Sequence, residues 1–154
     1  MKYKCALIVV SDINISRNFY ENLLNQKVKF DFGENVTYEG DFSIQLKSHY
    51  ASMITINKND INMKSNNFEL YFEDDNIDEF ITKLNNYKEI LFIHGLIEHS
   101  WGQRVIRFYD PDMHIIEVGE SMESVFKRYN DKGFSIEEIA DLTQHPIEFI
   151  KKCL

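Results

Sequence analysis

The sequence has little cysteine, little positive charge and no long apolar run. Its two cysteines, Cys5 and Cys153, form no CxxC pair, which argues against a disulfide scaffold and predicts a reduced, cytoplasmic protein. A formal net charge of −8 argues against nucleic acid and anionic membranes as partners. No apolar stretch approaches the roughly 20 residues of a membrane span, and no signal-peptide pattern is visible. The 44% of hydrophobic residues is enough for one domain or two small fused modules.

A supersecondary unit occurs twice along the chain. Apolar alternation and helical spacing predict β-α-β-β-β in each half, followed by helices from Ser121 onward. The segment 48–66 between the halves is rich in Asn, Lys and Ser and predicts an irregular connection, either a crossover or a lid. The predicted strands are 3–10, 27–32, 36–39 and 42–47, then 68–73, 90–97, 105–109 and 114–118, with helices over 15–24 and about 77–84.

The C-terminal segment loosely resembles a helix-turn-helix. Ser135 and Glu138 form a capping-box pattern, and Pro146 suits the first turn of a last helix. Residues 131–154 carry three lysines against five acidic residues, which is a poor balance for contact with phosphates. We therefore interpret it as a packing or dimer-capping extension.

The region Trp101–Glu120 reads as a β-hairpin with one carboxylate, Glu117, among apolar residues of its second strand. A buried charge of this kind must be paired, bound to a metal or in contact with a ligand. If Asp110–Met113 form the loop, Arg104 and Glu117 share one face of the hairpin. One alternative is therefore an Arg104–Glu117 ion pair, and the other is a ligand or metal role.

Two stretches, SDINISRNFYENLL and FYDPDMHIIEVGE, together with the repeated βαβββ unit, resemble the vicinal oxygen chelate superfamily of glyoxalase I, bleomycin-resistance proteins and extradiol dioxygenases. The resemblance covers residues 1–120. It implies an α+β fold in which two modules, about 1–48 and 67–120, form an incomplete barrel, with residues 121–154 as a helical extension. It also implies a small-molecule ligand in the cup between the modules, and a homodimer.

The same resemblance implies four metal-ligand positions. By motif they fall on Cys5, Gln45, Glu69 and Glu117, a mixed set without imidazole. Either this set holds a divalent metal such as Mg²⁺, Mn²⁺, Ni²⁺ or Zn²⁺, or the metal site has been lost. Without a metal or another cation, repulsion between Glu69 and Glu117 should raise one pKa and leave an acid/base group.

Further side chains are candidates for substrate binding. Trp101 and Gln103 flank a glycine at the mouth of the hairpin, and Tyr71 shares a strand face with Glu69. Arg104 or Arg107 could bind an anionic group, although an ion pair with a nearby acid is the commoner role. We interpret the three histidines of this half as ordinary strand and loop residues: His94, His99 and His114.

Three functions are compatible with these features. The first is a glyoxalase-like enzyme, a lyase or isomerase, in which a metal polarises a carbonyl while Glu69 or Glu117 moves a proton. The second is a metal-free binding protein of the bleomycin-resistance type that sequesters a small molecule or antibiotic. The third is a ligand-sensing or interaction module that uses the C-terminal helices.

Overall fold

The computed structural model describes residues 1–154, which form two compact units. The first comprises Met1–Phe68 and Tyr109–His114, and the second comprises Glu69–Phe108 and Ile115–Leu154. Each unit contains one four-stranded mixed sheet with helices, so the predicted α+β class is confirmed. None of the helices combines the length and the apolar character needed to cross a bilayer.

In the first unit the strand order is β1-β4-β3-β2, with β1 and β4 parallel and the other pairs antiparallel. Helix α1 (Ile13–Arg17) begins where the Asp12 side chain accepts the backbone N–H groups of the first turn, as an N-cap does. It continues as a π-helix over Asn18–Leu23. The predicted helix is therefore present, with a different hydrogen-bond pattern in its second half. The strands are β1 (Ala6–Val10), β2 (Val28–Asp31), β3 (Asn35–Tyr38) and β4 (Phe42–Leu46).

The connection predicted to be irregular contains two helical segments. Helix α2 spans Lys47–Met53, and a 3₁₀ turn spans Lys58–Asp60. The prediction of a wholly irregular segment was therefore wrong. The sequence pattern did not predict α2 because Ala51 is the one buried residue of this helix. The helix therefore has no apolar stripe. The helix packs on β1 and β4, and this tertiary contact outweighs its weak pattern.

The loop after the aromatic strand belongs to the first unit. The buried Asp110 carboxylate accepts the hydroxyl of Tyr20 at 2.7 Å and the backbone N–H groups of Asp112 and His114 at 2.9 and 2.8 Å. Asp112 in turn accepts the backbone N–H of Ser11 at 3.0 Å. Burial, followed by the charge of Asp110, holds the pKa of the Tyr20 phenol well above its usual value. These bonds fix where the hairpin turns.

The second unit repeats the topology of the first. Its strand order is β5-β8-β7-β6, with β5 and β8 parallel. Because the two sheets share one order and one parallel pair, the predicted βαβββ repeat is confirmed. Its elements are β5 (Glu69–Asp74), α3 (Ile77–Asn86), β6 (Leu91–Glu98), β7 (Arg104–Tyr109) and β8 (Ile115–Glu120).

Three helices complete the second unit, as the sequence predicts: α4 (Met122–Asp131), α5 (Ile136–Thr143) and α6 (Ile147–Cys153). Both bonds of the capping box between Ser135 and Glu138 are present. The helices share a hydrophobic cluster of Val125, Phe126, Tyr129, Ile139 and Ile150.

Candidate functional site

The partner of Glu117 is Arg107. Glu117 lies on β8 with its side chain 9% exposed, and its Oε2 forms an ion pair with Nη2 of Arg107 on β7. The Arg107 Nε donates to Oε2 of Glu69 at 3.2 Å, and its Nη1 lies 3.4 Å from Nε2 of His94. One guanidinium therefore joins two carboxylates and an imidazole on one face of the second sheet.

Of the two alternatives for Glu117, the Arg104–Glu117 ion pair is wrong. Arg104 pairs with Glu120 at 3.0 Å and with Asp78 at 3.1 Å. The hairpin closes with the Asp110 N–H donating to the carbonyl of His114, so the register differs by one residue from the one that a four-residue loop gives. A shift of one residue exchanges the faces of a strand. It brings Arg107 to Glu117 and takes Arg104 away from it.

The parallel pair β5–β8 places the predicted residues of this unit on one face. Tyr71 lies directly opposite Glu117, and Glu69 lies opposite Ile115. Because strand residues two apart point the same way, Glu69, Tyr71 and Glu117 share a face. The structure thus brings Glu69 and Glu117 together through Arg107.

In the first unit, register assigns the position equivalent to Glu117 to Ser43. The residues that cap the helices after β1 and β5 are Asp12 and Asn76, and they give a common origin for counting. The strand residue five positions before each cap lies opposite Ser43 in the first sheet and opposite Glu117 in the second. Gln45 stands two residues further along its strand.

The side chains of Cys5 and Gln45 already have polar partners in the first unit. The Cys5 Sγ lies 3.8 Å from Oγ of Ser43. The Gln45 Nε2 donates to the carbonyl of Glu34 at 2.7 Å and contacts Nδ1 of His49 at 2.9 Å. Neither residue belongs to a cluster of three or more His, Cys, Asp or Glu side chains that could hold a metal.

The resemblance implies a divalent metal, but this donor set does not fit one. Glu69 and Glu117, the two hard oxygen ligands of the set, both contact the Arg107 guanidinium. A metal bound by both carboxylates would place its charge against that permanent cation. The guanidinium itself meets the need of the buried Glu117 for a positive partner.

Burial raises the pKa of Glu117 above its usual value of 4.5. The charge of Arg107 opposes this increase, repulsion from Glu69 adds to it, and His99 and His94 oppose it more weakly. The expected repulsion between the carboxylates is therefore present, but loss of water is the larger cause. The Glu117 carboxyl takes up a proton at a higher pH than an ordinary glutamate.

Three of the predicted substrate-binding residues form one hydrogen-bonded chain. The Trp101 Nε1 donates to Oε1 of Gln103 at 3.1 Å, and Nε2 of Gln103 donates to the Tyr71 hydroxyl at 2.7 Å. The Tyr71 hydroxyl donates to Glu73 at 2.8 Å. Burial, followed by this bond, raises the pKa of Tyr71 to about 12, so its hydroxyl keeps its proton. Arg104, the fourth predicted residue, is outside this chain.

A glycine makes room for the Gln103–Tyr71 pair. A Cβ on Gly119 would lie 2.8 Å from Nε2 of Gln103 and 3.1 Å from the Tyr71 ring. Any side chain at this position of β8 would push the two apart.

Two histidines that the sequence led us to interpret as ordinary strand and loop residues lie at the site. His99 stacks on Trp101 with 4.2 Å between ring centroids, and its buried Nε2 has no hydrogen-bond partner. His94 contacts Arg107. A shared face of β6 and β7 is the signal that could have revealed His94. The position of His99 depends on a turn geometry that spacing does not encode.

The sequence pattern of the glyoxalase-like domain family matches residues 3–123. A solved protein of unknown function from Agrobacterium tumefaciens is 36% identical, with 79% of this chain and 94% of that chain covered and a TM-score of 0.69. No curated protein matches the sequence.

More distant structures share the fold. A glyoxalase/bleomycin resistance protein/dioxygenase family enzyme from Burkholderia phytofirmans is 12% identical, with 78% of this chain and 98% of that chain covered and a TM-score of 0.67. A lactoylglutathione lyase from Agrobacterium tumefaciens is 16% identical, with 76% and 91% covered and a TM-score of 0.55.

Proposed function

The chain belongs to the glyoxalase-like family of the vicinal oxygen chelate superfamily, and we propose that it binds a small anionic molecule at the Glu117 face without a metal ion. The Arg107 guanidinium, held between Glu69 and Glu117, carries this proposal. It supplies a fixed positive charge next to the position where the resemblance puts a metal ligand.

Arg107 retains capacity for a ligand. A guanidinium has more N–H groups than the three contacts to Glu69, Glu117 and His94 use, and its planar fork matches a carboxylate. His99 adds a buried ring nitrogen without a partner. Trp101 is 41% exposed, and its indole offers an apolar surface to a ring. A ligand that carries both a carboxylate and an aromatic group could contact all three of these side chains.

The raised pKa of Glu117 favours a second candidate function, metal-independent proton transfer on a carbonyl compound. The Glu117 carboxylate would take a proton from the carbon next to the carbonyl. The electrons of that C–H bond would move to the carbonyl oxygen, where the Arg107 charge stabilises the enolate. Isomerase and lyase chemistry both begin with such a step.

Intrinsic fluorescence tests the binding proposal, because Trp101 is the single tryptophan of the chain. Chelator-treated protein is titrated with phenylpyruvate and benzoate, and the proposal predicts a saturable change that Arg107→Met abolishes. Arg17→Met is the matched control, since Arg17 also bridges two carboxylates, Glu21 and Asp31. A response that requires added divalent metal would overturn the proposal.

We also propose that the protein forms a homodimer through β6. The resemblance implies a dimer, and this edge strand leaves five large apolar side chains exposed, which is typical of an association surface. Light scattering should give the mass of two chains, and Ile93→Lys should reduce it to that of one. The exposed residues are Leu91, Phe92, Ile93, Leu96 and Ile97.

A further inference from the structure

The first C-terminal helix, α4, lies against the turn between β6 and β7. The Tyr129 hydroxyl donates to Oε1 of Glu98 at 2.7 Å, at the end of β6. The Arg128 Nη2 donates to the carbonyl of Gly102 at 2.5 Å, just before β7. Both ends of this turn are therefore bonded to neighbouring residues of one helix.

Packing reinforces these bonds. Gly102 has a φ of +82°, and a Cβ on it would lie 2.7 Å from the Tyr129 ring. The same ring is covered by Arg128 and Lys132, each 4.9 Å from its centroid, and meets Phe134 edge-on at 5.1 Å. The Tyr129 ring is thus a fixed surface against which the turn backbone rests.

The turn held by α4 contains His99 and Trp101, two of the side chains proposed to contact a ligand. Within the turn, the His99 N–H donates to the carbonyl of Gln103, and the Gly102 N–H donates to that of His99, both at 2.9 Å. His99 and Trp101 stack inside this closed loop. Their placement therefore depends on the backbone that α4 holds.

The helix is itself tied to the sheet by a buried carboxylate. Glu120, with its side chain 3% exposed, accepts Arg128 at 2.8 Å and Arg104 at 3.0 Å. Ser124 Oγ donates to the carbonyl of Asp75 at 2.8 Å. These bonds hold α4 at the end of the second sheet where the parallel strands β5 and β8 finish.

We infer that α4 is a positioning element of the ligand site, in which Tyr129 and Arg128 hold residues 98–103 and thereby set where His99 and Trp101 meet a ligand. Most of this helix lies beyond residues 3–123, which the family pattern matches. The ligand role rests on the proposed function, whereas the positioning itself is measurable without ligand.

The experiment follows the single indole N–H resonance of Trp101 in ¹⁵N-labelled, ligand-free protein. Tyr129→Phe keeps the ring but removes its bond to Glu98, so the resonance should shift and acrylamide should quench Trp101 faster. Tyr109→Phe is the matched control, because its hydroxyl makes a bond of the same 2.7 Å length to Asn66. It should leave the resonance unchanged.

Thermal melting and titration of the same proteins with phenylpyruvate and benzoate separate the outcomes. Equal melting temperatures for the two variants, with a shifted resonance only in Tyr129→Phe, support positioning. An unchanged resonance in Tyr129→Phe overturns it, whatever the wild type binds. A shifted resonance in a protein that binds neither phenylpyruvate nor benzoate supports positioning and counts against the proposed function alone.

Discussion

Arg107 forms an ion pair with Glu117 across the β7–β8 hairpin and bonds Glu69 with the same guanidinium. The resulting group of two carboxylates and one permanent cation is a polar centre on one face of the strand pair. It explains how a carboxylate with 9% of its side chain exposed is accommodated, since one removed from water needs a partner.

The first prediction concerns the charge on Glu117. Arg107→Met removes the main influence that lowers the pKa of Glu117, while burial and the charge of Glu69 remain. The pKa should therefore rise further above its usual value, as ¹³C carboxyl NMR titration would record. Arg17→Met should leave it unchanged. An unchanged Glu117 pKa in Arg107→Met would show that the two groups are not coupled.

The second prediction is a pH dependence of stability. Because the pKa of Glu117 is raised in the folded protein, its contribution is most favourable below the unfolded value of about 4.5 and is lost as pH rises through the folded pKa. Urea unfolding should show Glu117→Gln gaining stability relative to wild type as the pH rises from about 4 to about 7. A difference that is constant with pH would contradict this assignment.

The third prediction concerns Glu120, on the same strand as Glu117, whose contribution to stability should change with pH in the opposite direction. The hydrogen bonds and charges of Arg128 and Arg104 outweigh burial and lower the pKa of Glu120, so its contribution is present above the unfolded pKa and is lost as pH falls through the folded one. Glu120→Gln leaves both arginines without their shared partner. It should cost on the order of 3 kcal/mol near neutral pH and much less in acid. Chemical unfolding of wild type and Glu120→Gln near neutral pH and in acid would measure the two costs.

Tyr129 and Gly102 give a fourth prediction. Gly102→Ala and Gly133→Ala both place a side chain at positive φ, +82° and +90°, which costs roughly 1–2 kcal/mol in each case. Only at Gly102 does the new Cβ meet Tyr129, at 2.7 Å. Gly102→Ala should therefore cost about 1–3 kcal/mol more than Gly133→Ala in chemical unfolding. Equal costs would mean that the ring moves away freely.

The fifth prediction tests the anchor of the hairpin loop. In the wild type, the second carboxylate oxygen of Asp110 accepts hydrogen bonds from the Tyr20 hydroxyl and the His114 ring. Asp110→Asn replaces this oxygen with an NH₂ group, which cannot accept them. Urea unfolding should show a loss of about 1–3 kcal/mol. The exposed Asp60→Asn serves as its control and should be neutral. A neutral Asp110→Asn would remove the loop anchor from this account.

The sequence predicted the fold well because strand alternation and helix caps are local. The repeat, all eight strands and the three C-terminal helices agree with it to within a few residues. Helix α2 was missed because Ala51 gives no periodic signal and its stability comes from packing on β1 and β4.

The site was harder to predict because it depends on register. The strand position of Glu117 could be predicted, but the choice between Arg104 and Arg107 depended on one residue of loop length. That length is set by the bonds of Asp110 to Tyr20 and to the backbone. These are long-range contacts, which no local pattern carries.

The Arg107 guanidinium lies next to the position where the resemblance puts a metal ligand, and we propose that it replaces the metal. Electron paramagnetic resonance of free Mn²⁺, titrated into chelator-treated wild-type and Glu117→Gln protein, tests this replacement. We expect identical titrations of the two proteins, with no site that depends on Glu117. Stoichiometric Mn²⁺ binding by the wild type that disappears in Glu117→Gln would contradict it.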